Sequence, residues 1–213
     1  VPKTIDNDLM GTDHTPGFGS AAKYVATVMQ ESACDCSVYT TKAVTIVEVM
    51  GRDAGWLTAA AGLPRILGEN TADLIYLPEV AFDEEKFIAD LRKQLEIKPN
   101  VVVAVSEGIK AESGEYVGEK KQSGAVDIFG HRYLAGTAKY LEGLVKEKIG
   151  CKVRSVELNL PQRCASHILS KTDIEESFET GKISVAFSTR SETNNGYVTV
   201  LRRRDGDGYK VDY

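Results

Sequence analysis

The sequence predicts an α/β fold, with a layered, mostly parallel, Rossmann-like sheet and an antiparallel hairpin at the C-terminal end. Short β-branched runs alternate along the chain with longer stretches of helical periodicity, and this order is typical of parallel sheets covered by helices. Near the C-terminus, two alternating runs flank Asp205-Gly206, a dipeptide that is common in hairpin turns.

The first predicted elements are a helix, a buried strand and a second helix. Apolar residues at three-to-four spacing predict a helix from residue 17 to about 32. Residues 43–49, Ala-Val-Thr-Ile-Val-Glu-Val, are typical of a buried parallel strand. A glycine-containing turn over 50–56 leads into an alanine-rich helix predicted over 57–67, and α/β folds bind ligands at such turns.

The middle of the chain predicts two further strands and two helices. A strand is predicted over 73–77, followed by a helix over 83–97 whose first turn is acidic, as the helix dipole favours. Residues 101–106, Val-Val-Val-Ala-Val-Ser, predict the central strand. A polar loop over 111–124 then precedes a long helix predicted over 129–149.

The last predicted elements are a strand, a capped helix and the hairpin. The strand is predicted over 153–160 and is broken by Pro161. Ser170 is a candidate N-cap for a helix that runs to about residue 188. The hairpin strands are predicted over 197–203 and 208–213.

Composition argues against several classes of partner, and we expect a cytoplasmic protein. The 213 residues carry a net charge of −5, and Arg202-Arg203-Arg204 is the one basic cluster, which argues against nucleic acid as a partner. No apolar run approaches the roughly 20 residues needed to span a membrane, and no leader segment is visible. The four cysteines are expected to be reduced and packed in or near the core.

The opening loop, residues 1–16, concentrates groups suited to proton transfer and metal binding. Asp6 and Asp8 follow Lys3 and Thr4 within a stretch that precedes the first helix. One aspartate could accept a proton from an attacking hydroxyl, while its neighbour could hold Mg²⁺ directly or through water. The alternative is an Asx-rich turn before a helix.

Further polar groups follow or flank the predicted strands. Arg52 follows the strand over 43–49, Glu107 follows the central strand, and Arg154 and Arg163 flank the strand over 153–160. Strand ends converge on one edge of an α/β sheet, so this mixture fits a phosphorylated polyol. Taken singly, each residue could equally be a surface charge or a loop acid.

The start of the chain leads to an expectation about its completeness. Such loops normally follow a strand, yet the opening loop has none before it, which suggests a piece of a longer chain. We expect three parts: the opening loop, an α/β core over 17–190 and the C-terminal hairpin over 191–213.

A collinear series of motifs resembles the phosphofructokinase family, and its lysine-containing opening motif is similar to the pyrophosphate-dependent branch. The motifs are PKTIDND, GTDHTPGF, VEVMGRDAGWLTAAAGL, LPEV with a following FD, VVVAVSEGI, DIFGH and VRSVELNLPQR. They span nearly all of residues 1–190 in the family's order. The resemblance implies that residues 1–213 are the sugar-phosphate-binding part of a phosphofructokinase. This part is expected to be inactive alone, because the family's glycine-rich loop that binds the phosphoryl donor would lie upstream of residue 1.

The resemblance implies roles for the residues of the opening loop. Asp6 matches the general base for the 1-hydroxyl of fructose 6-phosphate, and Asp8 matches the acid associated with Mg²⁺ and the transferring group. Thr4 matches a hydroxyl near the same site. Lys3 stands where short ATP-dependent bacterial relatives resemble one another in having glycine, which favours pyrophosphate as the donor. ATP-dependent phosphofructokinase remains an alternative, because some ATP-dependent relatives also carry lysine, and a non-catalytic sugar-phosphate-binding subunit is another.

The resemblance also implies substrate contacts beyond the loop. Arg52 matches the arginine that stabilises the transition state. The implied fructose 6-phosphate contacts are Met50, Gly51 and Glu107, with Arg154 and Arg163 holding the 6-phosphate. One of these arginines comes from a neighbouring subunit in the family, so a homo-oligomer is expected. Two positions depart from the pattern: Leu160 replaces a histidine, and Ala43 replaces an arginine beside Lys42.

Overall fold

The computed structural model describes residues 2–121, 136–190, 196–203 and 209–212. Its main sheet has four strands in the order β2-β3-β1-β4, and each neighbouring pair is parallel. The strands are β1 (Ala43–Val49), β2 (Leu74–Tyr76), β3 (Asn100–Ser106) and β4 (Lys152–Glu157). The predicted α/β fold with a mostly parallel sheet is therefore confirmed.

The described part of the chain contains six α-helices. They are α1 (Phe18–Ser37), α2 (Trp56–Ala60), α3 (Leu63–Ile66), α4 (Glu84–Ile97), α5 (Thr137–Lys148) and α6 (Lys171–Ser188). Helices α4 and α5 cover one face of the sheet, and α1 and α2 cover the other. The result is a three-layer core.

The central strand β3 shows why the sequence alternates runs of apolar residues with helices. All seven residues of β3 are buried. Val101, Val103 and Val105 pack towards α4 and α5, whereas Val102 and Ala104 pack towards α1 and α2. Since both faces are covered, every position must be compatible with the interior, and the strand reads as a continuous apolar run.

Two helix predictions differ from the structure. Helix α1 continues to Ser37 because Ala33 and Cys36 extend its buried stripe. The single helix predicted over 57–67 is wrong, because the segment forms α2 and α3 with a break at Gly62. A proline in the first turn of α3 lacks the backbone N–H that a continuous helix would need.

Three other predicted segments need correction or lie partly outside the described residues. The strand predicted over 153–160 ends at Glu157, because Asn159 adopts a positive φ of 43° and a 3₁₀ turn follows over Leu160–Arg163. The helix predicted over 129–149 is seen as α5, and its residues 129–135 lie outside the described chain. The polar loop contains a 3₁₀ turn over Val117–Lys121.

The C-terminal part folds as predicted, with a capped helix and an antiparallel hairpin. Ser170 Oγ accepts a hydrogen bond from Asp173 N at 3.4 Å at the start of α6. Strands β5 (Val200–Arg203) and β6 (Tyr209–Asp212) pair antiparallel, and their predicted Asp-Gly turn lies outside the described residues. No helix within the described ranges combines the length and apolar character needed to cross a membrane.

Candidate active site

The opening loop is held in shape by its own polar side chains. Thr4 Oγ1 accepts a hydrogen bond from Asp6 N at 3.0 Å, and Asn7 Oδ1 accepts one from Thr15 N at 3.0 Å. Asn7 has a positive φ of 60°, which asparagine tolerates better than most residues. The side chain–backbone bonds expected of a turn are therefore present alongside the carboxylates of Asp6 and Asp8.

Asp6 lies where charges from three parts of the chain act on it. Burial is the largest influence on its pKa, and together with the Asp8 carboxylate it raises that pKa above the usual value. The positive charges of Arg52, Lys3 and Arg163 oppose this increase. The fold thus brings the opening loop, the turn after β1 and the turn after β4 to one place, with Lys3 and Asp8 on its exposed side.

The turn that carries Arg52 is packed tightly against the end of β3. Gly51 has a φ of 134°, and a Cβ at this position would lie 2.3 Å from the carbonyl oxygen of Ala54. A Cβ on Gly108 would lie 1.8 Å from the carbonyl oxygen of Arg52. Ser106 Oγ also donates a hydrogen bond to Gly51 O. Only glycine fits at either contact, so the backbone of Arg52 is fixed relative to the sheet.

Two carboxyl groups stand beside this turn, that of Glu48, which is buried, and that of Glu107, which is partly buried. Burial raises the pKa of Glu107 to about 7, opposed by a hydrogen bond from Gly51 N at 3.4 Å and by the charge of Arg52. Burial also raises the pKa of Glu48 to about 7, although Glu48 Oε2 accepts a hydrogen bond from Ala138 N at 2.7 Å. Both groups therefore change charge near neutral pH.

A cavity of about 390 Å³ at the carboxyl edge of the sheet is lined by four of the ten predicted site residues. Its walls include Met50, Arg52, Glu107 and Arg163, all of which the sequence analysis named. The remaining lining residues are Glu48, Val49, Glu157, Asn159, Leu160 and Gln162. A cavity lined by two arginines and several carboxyl groups suits a ligand with an anionic end and several hydroxyl groups.

Arg154 lies away from this cavity in the same chain. It is the third residue of β4 and pairs in register with Thr45 in the first half of β1. Its guanidinium carbon lies 5.6 Å from the centre of the Tyr39 ring, within the range of a cation–π contact. The polar groups were expected to lie together at one edge of the sheet. Arg154 does not join them within a single chain.

Two residues of the cavity, Glu48 and Gln162, were not predicted from the sequence. An acid within an otherwise apolar strand was the available signal for Glu48, because a buried carboxyl group needs partners. Gln162 is 2% exposed and accepts a hydrogen bond from Met50 N at 3.0 Å. No local sequence pattern predicts this bond, because its two partners are far apart in sequence.

The opening loop offers an exposed carboxylate beside Asp6 for a metal ion. Within the described ranges, no group of three or more His, Cys, Asp or Glu residues is placed to hold a metal. Mg²⁺ usually keeps several waters and binds one or two carboxylates together with substrate phosphates. Asp8 is exposed and next to the Asp6 site, so it fits a Mg²⁺ ion whose remaining ligands are water and phosphate.

Comparisons with known proteins show which proteins the chain is similar to. The family model described as "Phosphofructokinase" matches residues 1–168. The chain is 42% identical over 212 residues, 99% of its length, to a pyrophosphate–fructose 6-phosphate 1-phosphotransferase from Xanthomonas campestris, and 40% identical over 192 residues, 89% of its length, to one from Methylococcus capsulatus. These matches cover 50% and 45% of the two relatives, so the chain spans about half the length of the curated relatives it matches.

A solved structure of a phosphofructokinase has a similar fold. The pyrophosphate-dependent phosphofructokinase from Nitrosospira multiformis superposes with a TM-score of 0.76 at 34% sequence identity. The match covers 100% of this chain and 49% of that protein. The family model alone covers more than half of the chain, and the two independent comparisons point the same way. The chain belongs to the phosphofructokinase family.

Proposed function

We propose that the protein carrying this chain transfers a phosphoryl group from pyrophosphate to the 1-hydroxyl of fructose 6-phosphate. The products are fructose 1,6-bisphosphate and orthophosphate. The observation that supports this most is the convergence of Arg52, Glu107 and Arg163 on one cavity, with Asp6 within reach of both arginine charges. The names of the relatives support the choice of substrates.

In this proposal Asp6 is the general base. Its carboxylate takes the proton of the 1-hydroxyl as that oxygen attacks a phosphorus atom of pyrophosphate, and orthophosphate leaves. Partial burial and the neighbouring Asp8 raise the pKa of Asp6, which makes it a stronger base than an exposed aspartate. The charges of Arg52, Lys3 and Arg163 keep enough of the ionised form available.

Arg52 stabilises the charge that develops on the transferring phosphoryl group. A guanidinium on a backbone fixed by Gly51 and Gly108 is already placed when the reaction begins, and preorganised charge of this kind lowers the barrier directly. Asp8 would hold Mg²⁺ together with water and phosphate oxygens, and the ion supplies charge neutralisation for the donor.

The other residues bind the acceptor. Glu107, with Met50 and Gly51, contacts the sugar, and Arg163 contacts the 6-phosphate at the outer wall of the cavity. Arg154 contributes from a neighbouring subunit, which is consistent with its distance from the cavity of its own chain. The active protein is accordingly a homo-oligomer with shared sites.

Lys3 determines the donor in this proposal. Its positive charge acts on Asp6 from the exposed side of the loop, where it can bind a diphosphate and fill space that a longer nucleotide would need. The test is a steady-state assay of the full-length protein with fructose 6-phosphate and Mg²⁺, offering pyrophosphate and ATP separately. We expect a higher kcat/KM with pyrophosphate, and a preference for ATP would contradict the role given to Lys3.

A Lys3→Gly variant provides the matched comparison for the same assay. Removing the side chain should raise the KM for pyrophosphate by about tenfold or more, since one charge-assisted contact is lost. The KM for fructose 6-phosphate should stay near its original value. If neither donor supports turnover in the wild-type protein, the non-catalytic binding subunit becomes the better account.

A further inference from the structure

Gln162 connects two parts of the cavity wall through a buried amide that is hydrogen-bonded at both its oxygen and its nitrogen. Its side chain is 2% exposed. The amide oxygen Oε1 accepts a hydrogen bond from Met50 N at 3.0 Å, and the amide nitrogen Nε2 donates one to Asn159 O at 3.0 Å. One side chain therefore links the end of β1 to the turn that follows β4.

This amide continues the hydrogen bonding of the sheet beyond the end of β4. Leu158 N donates to Glu48 O at 3.0 Å, and the chain then turns away at Asn159, whose φ is 43°. Gln162 Oε1 accepts the hydrogen bond of Met50 N at the next position along β1. Here a side-chain oxygen accepts the backbone hydrogen bond that a main-chain carbonyl of the neighbouring strand accepts earlier in the sheet.

The opposite side of β1 shows a matching arrangement. Glu107 N donates to Val49 O at 2.9 Å, and Gly51 N then donates to Glu107 Oε1 at 3.4 Å. The consecutive amides of Met50 and Gly51 are thus held by side chains from two different neighbouring segments. The turn that carries Arg52 is therefore hydrogen-bonded to a neighbouring segment on each side.

Gln162 is also the one buried residue of the 3₁₀ turn over Leu160–Arg163. Leu160, Pro161 and Arg163 are all exposed. The bonds from Cys164 N to Pro161 O and from Cys164 Sγ to Leu160 O, both at 3.2 Å, close the turn on itself and do not fasten it to the sheet. Among the described residues, Gln162 supplies the side-chain hydrogen bond that joins this turn to the end of β1.

We propose that Gln162 is a positioning residue that sets Arg163 against the Met50–Arg52 turn and so fixes the span between the two ends of the acceptor site. This inference rests on the proposed function. Arg163 holds the anionic end of the acceptor and Asp6 receives the proton at the other end, so the distance between them must match one sugar. A small shift of the turn is costly, because misplacement of about 1 Å can reduce rates about a hundredfold.

The test is the Gln162→Met variant of the full-length protein, which removes both hydrogen bonds and keeps a similar side-chain volume. We expect the KM for fructose 6-phosphate to rise about tenfold, with the KM for pyrophosphate unchanged, because only acceptor binding depends on the turn. Thr71→Val is the matched control, since Thr71 is buried and donates to Ala61 O before β2. It should lower the Tm without altering either KM.

A double-mutant cycle distinguishes positioning from general loss of stability. If Gln162 acts through Arg163, Gln162→Met should reduce kcat/KM about tenfold in the wild-type background and less than about twofold in an Arg163→Ala background. Equal effects in both backgrounds, or an unchanged KM in the single variant, would overturn the inference. Lack of turnover in the wild-type protein would contradict the proposed function instead, and calorimetric titration with fructose 6-phosphate would then make the same comparison on binding.

Discussion

Asp6 is the residue on which the proposed chemistry depends, and its surroundings explain why. Burial and Asp8 favour its protonated form, while Arg52, Lys3 and Arg163 favour its ionised form. An aspartate balanced in this way can accept a proton during the reaction and release it afterwards. The sequence showed the acids of this loop, and the structure adds the arginines that act on Asp6 from other segments.

The Asp6→Asn variant should lose turnover while it keeps binding. The amide cannot accept the hydroxyl proton, so kcat should fall about 10²- to 10⁴-fold, and the KM for fructose 6-phosphate should change by less than about threefold. Steady-state kinetics on the full-length protein test this. A kcat within about tenfold of the wild-type value would assign the base to another group.

Glu107 should make acceptor binding depend on pH near neutrality. Burial raises its pKa to about 7, so its carboxyl group loses a proton as the pH rises through that value. The ionised form accepts hydrogen bonds from sugar hydroxyls more strongly, and kcat/KM for fructose 6-phosphate should therefore increase from about pH 6 to 8. In Glu107→Gln this inflection should shrink to the part contributed by Glu48, whose pKa burial also raises to about 7; an unchanged pH profile would exclude Glu107 as a source.

At the scale of elements, helices α1 and α6 hold the end of the opening loop through a shared set of caps. Helix α1 receives no cap from its own N-cap residue, Gly17. Asp173 of α6 instead accepts hydrogen bonds from Gly17 N at 2.7 Å and from Ser20 N at 3.2 Å. Ser20 Oγ in turn accepts one from Ser170 N at 3.1 Å, next to the start of α6. The two helix starts therefore stabilise each other.

Replacing Asp173 with alanine should reduce stability more than removing an ordinary cap. Asp173 is buried and accepts backbone hydrogen bonds at the start of helix α1. Asp173→Ala should therefore lower the free energy of unfolding by about 3 kcal/mol. Asp83→Ala removes the exposed N-cap of α4 and should cost about 1 kcal/mol. Urea denaturation of both variants tests the difference, and equal losses would contradict the shared-cap account.

The elements also show what the sequence could predict. Strands β1 and β3 follow from continuous β-branched runs, because helices cover both faces of the sheet. The break at Gly62 was not apparent from apolar periodicity, which continues through it. Arg52 and Glu107 were predicted from their positions after strands, whereas the bond between Gln162 and Met50 joins residues 112 apart in sequence and has no local signature.

At the scale of the whole molecule, the position of Arg154 is consistent with the proposal that a neighbouring chain completes the site. Arg154 contacts Tyr39 and does not line the cavity that contains Arg163. Closed symmetric assemblies bring distant surfaces of identical chains together. A shared site reconciles the expected role of Arg154 in phosphate binding with its location in the sheet.

Subunit complementation tests this sharing. Asp6→Asn and Arg154→Ala proteins should each have low activity alone, and co-expression should restore activity. In a two-fold dimer about half of the assemblies are mixed, and each contains one intact site, so about a quarter of the wild-type activity is expected. Failure to gain activity, in mixed oligomers confirmed by two affinity tags, would place Arg154 outside the active site.

The central claim is that this site moves a phosphoryl group from pyrophosphate to the 1-hydroxyl of fructose 6-phosphate. The most direct measurement is ³¹P NMR of the full-length protein with both substrates and Mg²⁺, with Asp6→Asn as the control. The account predicts that pyrophosphate is consumed while equal amounts of orthophosphate and fructose 1,6-bisphosphate appear, and that the variant shows neither product. Orthophosphate without the bisphosphate, or no reaction in the wild-type protein, would contradict it.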